Sequence, residues 1–194
     1  MKKVFFIVLS LIFMLSTTAK AEDTVHPSRV RLLIHGKLPI NETSDLKVHF
    51  IPAGNLKNGV SPITYLNYNF QVFDGLWLAP TLGWSSGKDE GILGMQFSPA
   101  FGNFYGWFDV EMNYPNYGAY FFGQAEYKVL PAIHFGVETE GGGNWEEWTW
   151  DKGFGPNLIV NLNGKMQLDM AFHYREENDK VLPQLFLRVH LFMF

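Results

Sequence analysis

The chain of 194 residues has no cysteine. This excludes a disulfide framework, a lipid anchor attached through cysteine, and any thiolate metal ligand or nucleophile. Beyond residue 14 it also lacks an apolar run near the about 20 residues that a membrane-spanning helix needs. Positive charge is scarce. Lys2, Lys3 and Lys20 take three of the 15 basic residues, so the part after Ala21 sets 12 against 19 acidic residues, a net charge of −7. That balance disfavours nucleic acid as a partner.

What the N-terminus does have is the layout of an export signal. Lys2 and Lys3 precede an apolar run from Val4 to Met14, and Ala19-Lys20-Ala21 supplies an Ala-x-Ala site. We read residues 1–21 as a secretory signal peptide, because the run has about half the length of a helical anchor. Residues 22–194 then form a single domain with a sizeable core.

Ten segments alternate apolar with polar or small residues: 30–40, 66–72, 76–84, 93–97, 104–114, 117–129, 133–139, 154–162, 166–174 and 185–193. This is the period of a β-strand with two unlike faces. The apolar strips carry no charge, as in Leu66, Tyr68, Phe70 and Val72, or Met166, Leu168, Met170, Phe172 and Tyr174. The opposite faces carry Arg29, Arg31, Lys37, Lys128, Lys165, Arg175 and Arg188 against Asp109, Glu111, Glu126, Glu138, Glu140 and Asp169, with His35, His134, His173 and His190 between them. Inside a narrow barrel such groups pair across the lumen, which avoids the cost of an unpaired buried charge.

Tight turns at Asp74-Gly75, Pro99 to Gly102, Leu130-Pro131 and Asn163-Gly164 alternate with longer polar links at 41–62, 85–90, 141–152 and 176–182, and a short one at Pro115-Asn116. Short turns at one end and longer loops at the other are the pattern of a transmembrane barrel. Residues 46–51 also alternate. An eleventh strand does not close with both termini on one side, so this stretch is read as structure within a long first external loop. The sequence therefore predicts an all-β, antiparallel, up-and-down transmembrane barrel of about ten strands, with eight or twelve as alternatives.

Aromatic residues fall near the strip ends: Trp84, Tyr114, Tyr117, Phe154 and Tyr174 toward one end, Phe97, Phe104 and Tyr127 toward the other. They are placed as two interfacial girdles. With the export signal, the amphipathic strands and the terminal Phe194, the chain resembles the small bacterial outer-membrane β-barrels. The resemblance implies residence in the cell outer membrane, contact with outer-membrane lipid and lipopolysaccharide, and insertion by the outer-membrane assembly machinery. In that family the last strand is an assembly signal with a terminal aromatic and apolar residues at alternate positions before it. Phe192 and Phe186 fit, whereas His190 and Arg188 depart from the pattern.

Two constellations bear on function. In the link 141–152, Trp145, Glu146, Glu147, Trp148, Trp150 and Asp151 combine stacking surfaces with carboxylates, suited to a sugar, a cationic partner or Ca²⁺. The plainer reading makes the tryptophans part of the outer girdle and the acids a solvated loop. On the polar face, Arg31, Asp109, Glu111, Glu126, Lys128, His134, Glu138, Asp169, His173 and Arg188 form a candidate lumen network. The pairs Asp109/Glu111 and Glu138/Glu140 suit acid–base work only where the environment separates their acidities. His134 with Glu138 and His173 with Asp169 sit four residues apart, too far along a strand for direct contact and weak as metal ligands.

The sequence thus reads as a non-enzymatic outer-membrane barrel with no cofactor, no metal and no catalytic residue assigned, in a structural, surface-interaction or porin-like narrow-channel role. Two other readings stand beside it. One is an outer-membrane enzyme modifying lipid or lipopolysaccharide, for which only Ser28 has a histidine within two residues. The other is a soluble periplasmic barrel binding a small apolar ligand inside.

Overall fold

The structure, a computed structural model, describes residues 29–55, 59–145, 149–177 and 180–193; the signal read over 1–21 lies outside them. Eleven strands follow in order: β1 (Arg29–Asn41), β2 (Ser44–Asn55), β3 (Gly59–Phe73), β4 (Leu76–Ser85), β5 (Glu90–Phe101), β6 (Phe104–Tyr114), β7 (Gly118–Leu130), β8 (Ile133–Asn144), β9 (Thr149–Asn163), β10 (Met166–Glu177) and β11 (Lys180–Phe192). They form one closed barrel, each strand paired with its sequence neighbours, and no helix occurs among the described residues.

Each of the ten alternating segments lies on its own strand. The eleventh is β2, which contains residues 46–51, read from sequence as loop structure. It pairs with β1 (Lys37↔Lys47) and β3 (Val48↔Leu66) along its length. An odd count sends β1 and β11 in the same direction, so the barrel closes through a parallel seam, Arg29↔Phe186 to His35↔Phe192. Consequently the chain enters β1 at one rim and leaves β11 at the other, in place of both ends sharing a rim. Two-residue turns occupy the rim where β11 ends: 42–43, 74–75, 102–103, 131–132 and 164–165. At the opposite, loop rim lie 86–89 and 115–117. The long links expected over 41–62 and 141–152 are largely strand, belonging to β2, β3, β8 and β9. Gly75, at φ +84°, supplies the left-handed residue that the β3–β4 turn requires.

The period of two sets the barrel's polarity. Asn67, Thr81, Gln96, Gln124, Glu138, Asn157, Asp169, His173, Gln184 and Arg188 are buried inside, while Leu82, Leu93, Val110, Phe135, Phe154 and Tyr174 are exposed outside. The outward strips are uncharged until Lys152 and Glu176, which pair at 3.0 Å near the loop rim. All eight aromatics assigned to girdles are exposed.

At Gly155, close approach of the neighbouring strand requires glycine. A Cβ on Gly155 of β9 would collide with the Phe172 carbonyl oxygen of β10. We expect Gly155→Ala to destabilise the barrel by about 1–3 kcal/mol by forcing these strands apart. Urea-induced unfolding of the barrel in detergent micelles measures this, and an unchanged midpoint counts against the packing described.

Candidate functional site

The lumen holds the charge, and β9 decides how much of it meets. Gly155 stands opposite Glu138 of β8, and Gly153 lies between Glu140 of β8 and Arg175 of β10 in the pairing register. Without side chains at these two inward positions, groups on β8 and β10 reach each other across an intervening strand. His173 Nε2 lies 3.0 Å from Glu138 Oε1, and Arg175 Nη1 lies 3.7 Å from Glu140 Oε2.

Two charge clusters result. In the first, Arg188 Nη2 donates to Glu138 Oε2 and lies 2.9 Å from Asp169 Oδ2. Gln124 Nε2 donates to Asp169 at 3.1 Å and to Glu138 at 3.3 Å. The Arg188 guanidinium is also held over two rings, 4.6 Å from the centroid of Phe186 and 4.9 Å from that of Phe122. In the second, Glu140 takes Arg31 at 3.1 Å and Arg29 at 3.9 Å, and accepts from the Tyr120 hydroxyl at 3.1 Å. Arg175 completes it by donating to Asp151 Oδ2 from Nε at 3.0 Å and from Nη2 at 2.6 Å.

The other polar-face residues form smaller groups. Gln96 donates to Asp109 Oδ2 at 3.1 Å, and Tyr65 donates to Glu111 Oε2 at 3.3 Å. His134 Nδ1 is 3.1 Å from Glu126 Oε2, and its ring stacks on Tyr105. Lys128 is half-buried on β7, opposite His134 in register. Toward the turn rim three histidines run in series: His35 Nε2 is 2.9 Å from His190 Nδ1, and His35 Nδ1 is 3.2 Å from His49 Nδ1. His49 belongs to β2, so this chain of rings is invisible while β2 is taken for a loop. Among the described residues no group of three or more His, Asp or Glu side chains is arranged to hold a metal ion.

Of the loop constellation, Glu146, Glu147 and Trp148 and the Trp150 side chain lie outside what is described. Trp145 is exposed just after β8, and Asp151 is drawn to Arg175 on the loop-rim side of the lumen.

The clusters do not fill the lumen. A cavity of about 470 Å³ faces the loop rim, with Arg31, Ile63, Tyr65, Ile92, Asp109 and Glu111 among its lining residues. A second, of about 490 Å³, faces the turn rim, with His35, Lys47, Glu126, His134, Asp169 and His190 among its own. His49, Gln96 and Trp107 line both, so these three side chains stand where the two cavities adjoin. Trp107 is braced by Phe122, ring centroids 4.9 Å apart, and Phe122 lies under Arg188.

One motif escapes a reading by alternation. Gly83-Trp84-Ser85-Ser86-Gly87 has the spacing Gly-x-Ser-x-Gly. That motif works as a nucleophile elbow between a strand and a helix. Here it ends β4 and enters the 86–89 link to β5, with no helix following, and no histidine hydrogen-bonds to Ser85 or Ser86 among the described residues. Comparison of the sequence with protein-family models and with curated proteins finds no match.

Proposed function

We propose that this protein is an integral outer-membrane β-barrel with no catalytic role. Residues 1–21 direct its export, the outer-membrane assembly machinery inserts it, and its outward face meets lipid and lipopolysaccharide. The observation that carries the reading is the polarity of a closed barrel: uncharged and apolar outside, charged and hydrogen-bonding inside. A soluble barrel with an apolar ligand inside needs the reverse arrangement. Lipid removes the outward apolar surface from contact with water, and closure satisfies the strand hydrogen bonds that lipid does not. The two-residue turns then face the periplasm and the loop rim the exterior.

We read His49, Gln96 and Trp107, where the two cavities adjoin, as a septum across the lumen, so that the barrel is not a general pore. Its role is interaction at the outer surface, with passage restricted to ions or small solutes. Membrane fractionation tests the location: we expect the mature chain in the outer-membrane fraction, migrating faster on a gel before heating than after. Recovery wholly in the soluble periplasmic fraction rejects the reading. For the septum, we expect low ion conductance of the native barrel in planar bilayers and an increase of severalfold in Trp107→Ala, which joins the two cavities. Equal conductance of the two proteins rejects the septum as the barrier.

A further inference from the structure

Among the described residues, eight carboxylate residues are buried in the barrel: Asp45, Glu90, Asp109, Glu111, Glu126, Glu138, Glu140 and Asp169. Six have a basic group of this chain within 4.0 Å, namely Lys37 for Asp45, Lys88 for Glu90, His134 for Glu126, Arg188 for Glu138 and Asp169, and Arg31 for Glu140. Asp109 and Glu111 do not. Their donors are neutral, Gln96 and the Val110 backbone to Asp109 and Tyr65 to Glu111, and the two carboxyl groups lie in hydrogen-bond contact with each other, although Asp109 is only 5 % exposed. In a lumen where negative charge is otherwise matched by a basic neighbour, this pair is the place where positive charge is missing.

The pair does not face solid protein. Both residues line the 470 Å³ cavity that faces the loop rim; the bases that share its lining, Arg31, Lys88 and Arg188, are engaged by Glu140, by Glu90, and by Glu138 and Asp169. Tyr65, Trp107, Tyr120 and Phe122 provide aromatic walls, and Ile63 and Ile92 aliphatic ones. Independently of the acids, His49 lines the same cavity, is 8 % exposed and has an Nε2 atom without a hydrogen-bond partner. A space of this size accommodates a small organic molecule, and apolar walls with a few polar groups are the usual make-up of a ligand site. Aromatic faces beside carboxylates select positive charge on a carbon body, because ring quadrupoles and carboxylates both attract a cation.

We propose that the cavity facing the loop rim binds a small organic cation, an ammonium group with an apolar body. Its charge sits against Asp109 and Glu111 and its body against Tyr65, Trp107 and Phe122. Entry is through the loop rim, since the septum of His49, Gln96 and Trp107 closes the other end. The proposal rests on the lumen of the folded barrel and not on its residence in a membrane, so the two are tested apart.

Isothermal titration of the full mature barrel in detergent micelles tests it, with benzyltrimethylammonium as the probe. Benzyl alcohol, benzenesulfonate and sodium chloride serve as neutral, anionic and inorganic comparisons. We expect saturable binding of benzyltrimethylammonium alone. The double variant Asp109→Asn, Glu111→Gln keeps the shape and hydrogen bonding of both side chains and should weaken binding by at least about tenfold, as loss of a charge-assisted contact implies. Where the double variant does not fold, judged by heat-modifiable migration, Asp109→Asn alone is measured, with a weaker loss in the same direction. Unchanged affinity in the variants, equal binding of benzyl alcohol, or displacement of the probe by equimolar sodium each overturns the proposal. A folded native barrel that binds none of the probes overturns it too and leaves the barrel reading standing. A chain that forms no barrel in micelles counts against that reading instead.

Discussion

Glu138→Ala is expected to lower the stability of the folded barrel by about 3–5 kcal/mol, the cost of leaving a buried partner uncompensated. Glu138 is 1 % exposed and is engaged by Arg188 of β11, His173 of β10 and Gln124 of β7. Its removal leaves Arg188 with Asp169 as its one remaining close carboxylate. The loss is attributable to the negative charge withdrawn from Arg188 and not only to the cavity. We therefore expect Glu138→Leu combined with Arg188→Met to be more stable than Arg188→Met alone, because the single change leaves both Glu138 and Asp169 without their base. Urea unfolding in micelles checks both. A Glu138→Ala effect below about 1 kcal/mol, the level of an exposed ion pair, means that water already screens the cluster.

Val110→Arg carries the second large effect. Val110 lies at the centre of β6, paired with Met95 and Phe121, and is 51 % exposed on the outward face. In the proposed membrane setting an arginine there is placed in the hydrocarbon, at about 2–4 kcal/mol near the bilayer midplane. We expect folding yield into lipid vesicles to fall sharply, while Val110→Leu behaves as the native chain. Equal yields of Val110→Arg and the native chain mean that this face meets water.

The ten alternating segments are legible because a period of two survives in any strand with unlike faces. Residues 46–51 carry the same signal and are discounted because closure with both termini on one side demands an even strand number. The parallel β1–β11 seam removes that demand. Loop lengths mislead for a related reason. In a barrel with a polar lumen, Asp45 is a buried, inward strand position, yet it falls in a stretch that in sequence looks like a polar loop. Gly141-Gly142-Gly143, within the link expected over 141–152, pairs in β8 with Phe121, Tyr120 and Ala119, and a Cβ on Gly141 would meet the Phe121 ring at 2.5 Å. His190 and Arg188 break the terminal pattern of outer-membrane barrels because both face inward, toward Asp169.

The polar face is legible as a set of residues but not as partners. Spacing along one strand sets His134 and Glu138, and His173 and Asp169, too far apart to meet, and it does not show that His134 reaches Glu126 and His173 reaches Glu138. Those pairings depend on register and, for His173, on the missing side chains at Gly153 and Gly155. The isolation of Asp109 and Glu111 is equally hidden, since it depends on which bases go elsewhere.

Lipid on the outside of the barrel is measured most directly with nitroxide labels, and a chain without cysteine allows single labels against no background. Val110→Cys and Phe135→Cys, both at exposed outward positions, are labelled in protein folded into lipid vesicles, and collision rates with oxygen and with a polar nickel complex are compared. We expect oxygen to dominate strongly at both sites, because it partitions into hydrocarbon and the nickel complex does not. Dominance of the nickel complex at both sites would place the apolar face in water and end the membrane reading.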